Sequence, residues 1–347
     1  DTAKTGDAEQ AAHDFDEAAA RFNTVAADTD VWWLTPARAV PVVGQNLAAV
    51  RDAAAAGGRL TRTAANTAEG VDYDRIRRAD GGIDLAVLDS FGGAVSEAAV
   101  TLREADETVS GLSSPWLVGL LADRLDQFGS RVQELRAETD LAQLTIAKAP
   151  AILGAGTPRR YLVLLGNPAE ARDLGGHLGN WAELTATDGK LDLVDVGQPM
   201  ELAQPATAGI PDESSFPASL LAMRPLLFPQ NWGSFPDLPT VTRLSASLFE
   251  QRTGRAVDGV LYADPYAFAA LVSLTGPVQV PGLPFTLGAD GAAEFLTKTQ
   301  FQAFAAESTA DRALNELISV VFEKVTSTKL PGPRQLGELF SPLVRQG

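Results

Sequence analysis

An acidic and a basic residue follow a continuous apolar run in residues 161–180, YLVLLGNPAEARDLGGHLGN. The apolar run is typical of a strand buried on both faces, and it ends before Asn167. Glu170 and Arg172 therefore lie at a strand end, where ligand crevices form in covered sheets. Because a carboxylate can hold Mg²⁺ and a guanidinium can bind two phosphate oxygens at once, this pair predicts a pyrophosphate site.

The rest of this motif can serve either a ligand or the turn itself. Gly175 and Gly176 would let the backbone approach a ligand closely, and His177 could act as an acid or a base near neutral pH. Alternatively, Glu170 and Arg172 form a local ion pair that closes the turn. The glycines would then serve only the turn, and His177 would be a solvated surface group.

A second arginine occurs in the segment ESTADRALNELI, which has the pattern of a helix start. We expect Ser308 or Thr309 to cap this helix, which places Asp311 and Arg312 in its first turn. The free N–H groups and the helix dipole favour an anion there, so Arg312 indicates a bound phosphate. Alternatively, Arg312 pairs with Glu307 or Asp311.

The composition excludes several other kinds of chemistry. The 347 residues contain no cysteine and two histidines, His13 and His177, which excludes thiol nucleophiles, thiolate zinc sites and polyhistidine metal sites. The formal net charge of -16 argues against nucleic-acid binding, which needs a basic surface. No Walker A motif is present and no GxGxxG follows a strand, which argues against a nucleotide-binding loop.

The elements that position the motif lie in the second of two predicted domains. Residues 1–150 have a helical apolar period, with one well-bounded helix expected to begin at Pro115 after a Ser114 cap. This pattern predicts a helical bundle or stalk. Trp32 and Trp33 either pack at a helix end or form a membrane-interface belt.

Residues 151–347 change period and predict an α/β (α+β) domain, in which helices cover a mixed sheet. Asp188 and Gly189 lie between two alternating segments and predict a β-hairpin. A further strand is expected to end at Asp264, and a helix is expected over 308–326. The Pro-rich stretch 228–240 is predicted to pack over the domain without regular structure.

Several segments together resemble a known family: AILGAGTPRRYLVLLGNPAEARDLGGHLGNWAELTATDGKL, PQNWGSFPDLP, RAVDGVLYADPYAFAALVSLTGPVQVPG and STADRALNEL. Their order and spacing are similar to those of an uncharacterised bacterial extracytoplasmic family, the domain of unknown function number four thousand and twelve. The resemblance covers about residues 40 to 330. Membership of this family does not by itself predict an activity.

A more distant similarity is to the LytR-CpsA-Psr enzymes. Those are membrane-anchored, Mg²⁺-dependent phosphotransferases that move glycans from a polyprenyl pyrophosphate carrier onto the cell wall. The resemblance implies that Glu170 is the metal-side acid, Arg172 the pyrophosphate arginine and Arg312 the arginine of the late helix, with Asp264 and Asp258 as weaker candidates. The expected ligand-binding residues are Asn167, Gly175, Gly176, His177, Asn180, Asn231, Trp232, Asp264 and Asp311.

The sequence departs from the LytR-CpsA-Psr pattern in its positive charge. The second arginine of that family is missing after the next strand, where this chain has VDVGQPME, and the arginine-serine-aspartate-threonine motif is not found. Arg224 or Arg243 would have to substitute. A site that lacks part of its positive charge loses transition-state stabilisation, about 3 kcal/mol for a single preorganised donor.

Three functions follow as hypotheses. The first is a cell-envelope phosphotransferase that binds a polyprenyl-pyrophosphate-linked glycan, with Mg²⁺ as cofactor and a cell-wall polymer as acceptor. The second is a noncatalytic envelope protein that binds a glycan lipid or acts as a scaffold. The third is a glycoside hydrolase that uses Glu170 with Asp264 or Glu183.

A lipid carrier would also need an apolar slot and a membrane nearby. We expect the slot to be lined by Phe268, Leu271, Leu274, Leu314, Ile318 and Phe322, which otherwise are core residues. No run approaches the about 20 apolar residues of a membrane helix. We therefore expect an extracytoplasmic protein whose membrane contact is made through an anchor outside this sequence.

Overall fold

A computed structural model describes residues 8–70, 73–328, 335–336, 339–340 and 342–343. The chain divides into two compact units. The first contains Asp1–Ile76 and Asp84–Pro150, and the second contains Arg77–Ile83 and Ala151–Gly347.

The first unit is helical, as predicted. Its α-helices are α1 (Ala8–Asp28), α2 (Thr35–Arg38), α3 (Pro41–Gly70), α4 (Leu85–Ser90), α5 (Gly92–Gly111) and α6 (Gly119–Ile152), and its 3-10 helices are Trp32–Leu34 and Tyr73–Ile76. The predicted start of α6 at Pro115 is wrong, because the chain first makes a turn in which the Ser114 hydroxyl accepts the N–H of Trp116 at 3.3 Å. The unit is held together by a small apolar cluster around Ala56, Leu102 and Val132.

One stretch of this unit, Leu85–Gly111, is by length and composition apolar enough to cross a membrane. This corrects the expectation that no such segment exists. Asp89 and Glu97 are the only charged residues among the first 18 residues of this stretch. Five residues of this stretch are buried: Phe91, Ala99, Leu102, Ala105 and Val109.

The second unit combines strands and helices. Its strands are β1 (Arg159–Asn167), β2 (His177–Thr187), β3 (Lys190–Gly197), β4 (Gly259–Ala263), β5 (Val278–Gln279) and β6 (Thr286–Leu287). Its α-helices are α7 (Ala218–Leu221), α8 (Leu238–Thr253), α9 (Pro265–Thr275), α10 (Ala289–Glu294), α11 (Gln300–Ala303) and α12 (Glu307–Ser327). Short 3-10 helices cover Pro199–Leu202, Ala206–Ala208, Glu213–Ser215 and Pro229–Ser234, and one π-helical turn covers Phe295–Thr299.

Four strands form a mixed sheet in the order β3-β2-β1-β4. Strand β2 is antiparallel to both β1 and β3, whereas β4 is parallel to β1. The apolar run 161–165 lies in β1 between two other strands, and its Leu162 and Leu164 are fully buried. The predicted α+β class with a mixed sheet is therefore confirmed.

The predicted hairpin and the strand ending at Asp264 are also present. Asp188 and Gly189 join β2 to β3 with positive φ angles of 46° and 88°, as a tight hairpin turn requires. Segment Arg77–Ile83 contacts this hairpin, since the N–H of Ile83 donates to Gly189 O at 2.8 Å and the Arg78 guanidinium donates to Asp188 O at 2.7 Å.

Two apolar clusters form the core of the second unit. The first packs β1 and β2 against α8, with Leu244, Leu248 and Phe249 almost fully buried. The second joins α9, α10 and α12 around Phe268, Leu317 and other residues. The Pro-rich stretch does pack into the first cluster, but the expectation that it lacks regular structure is wrong: it forms the 3-10 helix Pro229–Ser234 and the start of α8.

Candidate functional site

The loop between β1 and β2 carries the central motif and is closed by its own backbone. The N–H of His177 donates to Glu170 O at 2.9 Å, and the N–H of Glu170 donates to Asn167 O at 3.2 Å. The Asn167 side-chain oxygen also accepts the N–H of Ala169 at 3.1 Å. These bonds fold residues 168–176 over the ends of the two strands and fix where Glu170 leaves the loop.

The two glycines of the loop allow close packing, and neither of them lines the pocket described below. Gly176 has φ of 112°, and a Cβ there would lie 2.1 Å from Asn167 O. Gly175 has φ of 74°, and a Cβ there would lie 3.1 Å from the Tyr262 ring. The Tyr262 hydroxyl donates to Gly176 O at 3.1 Å and joins the loop to β4.

A pocket of about 620 Å³ opens beside this loop, within the second unit. Its size falls in the range of small-molecule sites. The apolar part of its lining consists of Leu165, Leu178, Pro199, Met200, Pro265, Phe268, Leu296, Phe301, Phe304, Ala306, Ala310, Leu314, Leu317 and Ile318. The polar part consists of Asn167, Glu170, His177, Asn180, Gln198, Gln230, Asp264, Gln300 and Asp311.

The pocket brings together six residues predicted from the sequence. They are Asn167, Glu170, His177, Asn180, Asp264 and Asp311. They come from a strand end, the adjoining loop, the next strand, the end of β4 and α12, as expected for a crevice at the edge of a covered sheet.

Neighbouring groups orient these polar side chains. The Asn180 amide donates to Asn315 Oδ1 at 2.7 Å, which joins β2 to α12, and the Asn167 amide donates to Leu296 O at 3.0 Å. Asp264 caps α9 by accepting the N–H of Ala267 at 2.8 Å. The side chains of Asn167, Asn180 and Asp264 are thus held in place by the fold itself.

Both arginines that were predicted to bind pyrophosphate lie outside the pocket lining. Arg172 is exposed and donates to the backbone oxygen of Ala171 at 2.9 Å. Arg312 is also exposed. The predicted cap of its helix is wrong, because α12 begins at Glu307 after Ala306, with no side-chain cap, so Arg312 lies beyond the first turn.

Two other predicted ligand residues also lie outside the lining. Trp232 is fully buried, and its indole N–H donates to Pro225 O at 3.0 Å, so its predicted ligand contact is wrong. Asn231, beside it, is outside the lining, whereas its neighbour Gln230 is part of it.

The pocket lining as described contains three carboxylates and one histidine, but no lysine or arginine. Glu170 Oε2 lies 3.9 Å from His177 Nδ1. The suggested substitutes do not supply the missing charge, since Arg224 lies over the Phe228 ring and Arg243 over the Phe216 ring. A bare pyrophosphate would therefore meet negative groups and no cationic side chain among the described lining residues.

Glu183 and Asp258 form ion pairs away from the pocket. Glu183 is fully buried between Arg160 at 2.6 Å and Arg255 at 2.9 Å, so its predicted role as a hydrolase carboxylate is wrong. Asp258 accepts the N–H of Arg160 at 2.9 Å and the Arg159 side chain at 2.6 Å, and these two bonds lower the pKa of its carboxyl.

The expected apolar slot is present in part. Phe268, Leu314 and Ile318 line the pocket as predicted, whereas Leu271, Leu274 and Phe322 do not. The sequence analysis did not find the three lining glutamines, Gln198, Gln230 and Gln300, because they come from distant segments that share no motif. The Gln230 side-chain oxygen is buried without a hydrogen-bond partner.

The carboxylates of the pocket could bind a metal ion only together with a bound ligand. No group of three His, Asp or Glu side chains that could hold a metal ion occurs among the residues that the structure describes. Mg²⁺ is, however, often bound by one or two carboxylates together with substrate phosphates. Glu170 and Asp264 could supply such carboxylates, because both line the pocket.

The fold and the pocket define an α+β domain with an amphiphilic, acidic cleft. Residues 156–301 match the family model described as "Protein of unknown function (DUF4012)". Over these residues, the match confirms the family resemblance that the sequence motifs indicated. No curated protein and no solved structure matches the chain. The likeness to the LytR-CpsA-Psr enzymes stays a prediction.

Proposed function

We propose that the second unit binds a glycan lipid without transferring it. The apolar lining would hold part of the lipid chain, and the amides and carboxylates would hold the hydroxyl-rich head group. The observation that carries this proposal is the composition of the pocket: fourteen apolar residues, two glycines and nine polar residues, without a lysine or arginine among the described lining residues.

The polar groups of the pocket suit sugar hydroxyls. Amide side chains both donate and accept, and carboxylates accept strong hydrogen bonds from hydroxyl groups. The unpaired Gln230 oxygen is a buried acceptor that a ligand hydroxyl would satisfy. Phosphate oxygens, in contrast, cannot donate to these acceptors and carry the same sign of charge as Glu170, Asp264 and Asp311.

A pyrophosphate-linked carrier would need Mg²⁺ at this site. Glu170 and Asp264 would hold the ion, which would neutralise the phosphate charge as a Lewis acid. The protein groups would bind and orient the head group, while the apolar lining keeps water from the lipid chain. An extracytoplasmic setting at the cell envelope, with a lipid-linked glycan or cell-wall polymer as partner, belongs to the same proposal.

Glycoside hydrolysis is a second candidate, because Glu170 and Asp264 line one pocket. It requires a carboxylate pair on either side of the scissile bond. Turnover of aryl glycosides that is lost in both Glu170→Gln and Asp264→Asn would support hydrolysis over binding alone.

Calorimetric titration with three ligands that share one apolar chain tests the proposed function. Geranyl β-glucoside, geranyl pyrophosphate and geraniol differ only in the head group. We expect the glucoside to bind without Mg²⁺ and geraniol to bind at least about tenfold more weakly, because it lacks most of the hydroxyl groups. We expect the pyrophosphate to bind only when Mg²⁺ is added.

The same titration distinguishes the phosphotransferase alternative. Tight pyrophosphate binding that needs Arg172 and Arg312, with no binding of the glucoside, would contradict our proposal and favour that enzyme class. If none of the three ligands binds, the pocket does not hold a glycan lipid of this kind.

A further inference from the structure

A cluster of exposed apolar side chains lies at one end of the first unit. The exposed fractions are 85% for Trp32, 62% for Trp33, 59% for Trp116 and 70% for Leu120. We call this surface the apolar tip; its other members are Val40, Val42, Val43 and Val118. Large exposed apolar patches usually mark an interaction surface. The exposure of Trp32 and Trp33 contradicts their packing at a helix end.

Two separate segments of the chain meet at the tip. Residues 31–43 connect the end of α1 to the start of α3, and residues 112–120 connect α5 to α6. The Asn46 side chain joins the two segments, since its amide donates to Val42 O at 2.8 Å and to Trp116 O at 3.0 Å, and its oxygen accepts the N–H of Val118 at 2.9 Å. The fold therefore brings the two apolar segments next to each other.

Charge is almost absent from these two segments. Between Asp30 and Arg51 the only charged residue is Arg38, which pairs with Asp30 at 2.6 Å. No charged residue occurs between Glu107 and Asp123. In a chain with 21% charged residues, the tip is thus a surface without uncompensated charge. It could enter a low-dielectric medium without the cost of burying an unpaired ion.

The three tryptophans of the tip have free indole N–H groups. Trp181 and Trp232 donate to backbone oxygens, whereas the indoles of Trp32, Trp33 and Trp116 have no hydrogen-bond partner among the described residues. An indole with an exposed apolar ring and a free donor suits the boundary between lipid tails and head groups.

We propose that the apolar tip inserts into the interfacial region of a lipid bilayer. Burial of the exposed apolar surface provides the driving force. A zwitterionic membrane fits best, because the tip carries no unpaired cation to attract anionic lipids and the whole chain has a net charge of -16. This contact is independent of the ligand of the pocket.

Binding of the full chain to phosphatidylcholine vesicles, measured by flotation, tests this proposal. We expect binding that changes little with salt, because it is not electrostatic. Acyl chains that carry bromine should quench the fluorescence of the tip tryptophans. Trp181 and Trp232, which are only 3% and 0% exposed, should remain as an unquenched background.

Matched variants locate the contact. Trp116→Ala should weaken vesicle binding about tenfold, because a buried aromatic side chain is lost. Leu141→Ala removes an apolar side chain that is 60% exposed elsewhere on α6 and should leave binding within about twofold.

Three results would overturn the proposal. The first is a lack of flotation with phosphatidylcholine. The second is an equal loss in Trp116→Ala and Leu141→Ala. The third is a dimer in sedimentation analysis that Trp116→Ala dissociates, since a second copy of the chain would then cover the tip.

Discussion

Glu170 Oε2 lies 3.9 Å from Nδ1 of His177, and both residues line the pocket. The two residues are also joined through their backbones. Glu170 thus faces a neighbour that lines the same pocket, while Arg172, two residues further on, is exposed and outside the lining. Glu170 therefore belongs to the pocket, whereas Arg172 belongs to the exposed surface outside it.

Glu170→Gln should weaken binding of geranyl β-glucoside by about fivefold to tenfold. The change removes the charge that strengthens a hydrogen bond to a ligand hydroxyl. Arg172→Ala is the matched control and should change the affinity less than about twofold. Calorimetric titration of both variants checks this, and an equal loss in the two would place the ligand between Glu170 and Arg172 instead.

Trp232→Phe should lower the stability of the fold but leave ligand binding unchanged. The indole is fully buried and satisfies Pro225 O, so its loss leaves that oxygen unpaired at a cost of about 1–3 kcal/mol. Urea unfolding measures the free energy of unfolding, and titration measures the affinity. An affinity loss at unchanged stability would show that Trp232 contacts the ligand after all.

Arg160→Met should destabilise the protein by about 3 kcal/mol, because it removes one of the two partners of the fully buried Glu183. Arg159→Met, at the adjacent residue, breaks a partly exposed pair with Asp258 and should cost at most about 1 kcal/mol. The comparison uses urea unfolding at neutral pH. Similar losses in the two variants would mean that the burial of Glu183 carries no special cost.

Tyr262 should ionise at a higher pH than an unperturbed tyrosine. Burial, together with the charge of Asp264, raises the pKa of its hydroxyl to about 12. An unfolded chain ionises its tyrosines near pH 10. The stability due to this shift is therefore complete below about pH 10 and is lost as the pH rises from about 10 toward 12.

Phenolate absorbance of the folded protein measures this ionisation. The wild type should show one step near pH 12 that is absent in Tyr262→Phe. Unfolding at several alkaline pH values should show a steeper loss of stability in the wild type than in the variant. Complete tyrosine ionisation by about pH 11 in the folded wild type would contradict the raised pKa.

Much of the fold could be predicted from local sequence patterns. The apolar run in β1, the Asp188-Gly189 turn and the helical period of residues 1–150 each depend on nearby residues only. The place of segment Arg77–Ile83 in the second unit depends on hydrogen bonds to a hairpin more than 100 residues away, such as that from Arg78 to Asp188. No local pattern indicates such a contact.

The site was predictable where a side chain follows a strand end. Glu170 follows β1 and Asp264 follows β4. Because these two strands are parallel neighbours, both residues reach the pocket. Arg172 could not be placed, because which way a loop side chain points depends on turn geometry. Arg312 was misplaced because α12 begins without a side-chain cap, one or two residues before the expected serine or threonine.

The most direct test of the central claim is the affinity of geranyl β-glucoside for the wild type, for Phe301→Ala and for Phe285→Ala. Phe301 is 58% exposed and lines the pocket, whereas Phe285 is 39% exposed and does not, so neither change should prevent folding. We predict measurable binding to the wild type and to Phe285→Ala, and a loss of about tenfold in Phe301→Ala. Absence of binding to the wild type, or equal affinity in all three proteins, would contradict the account.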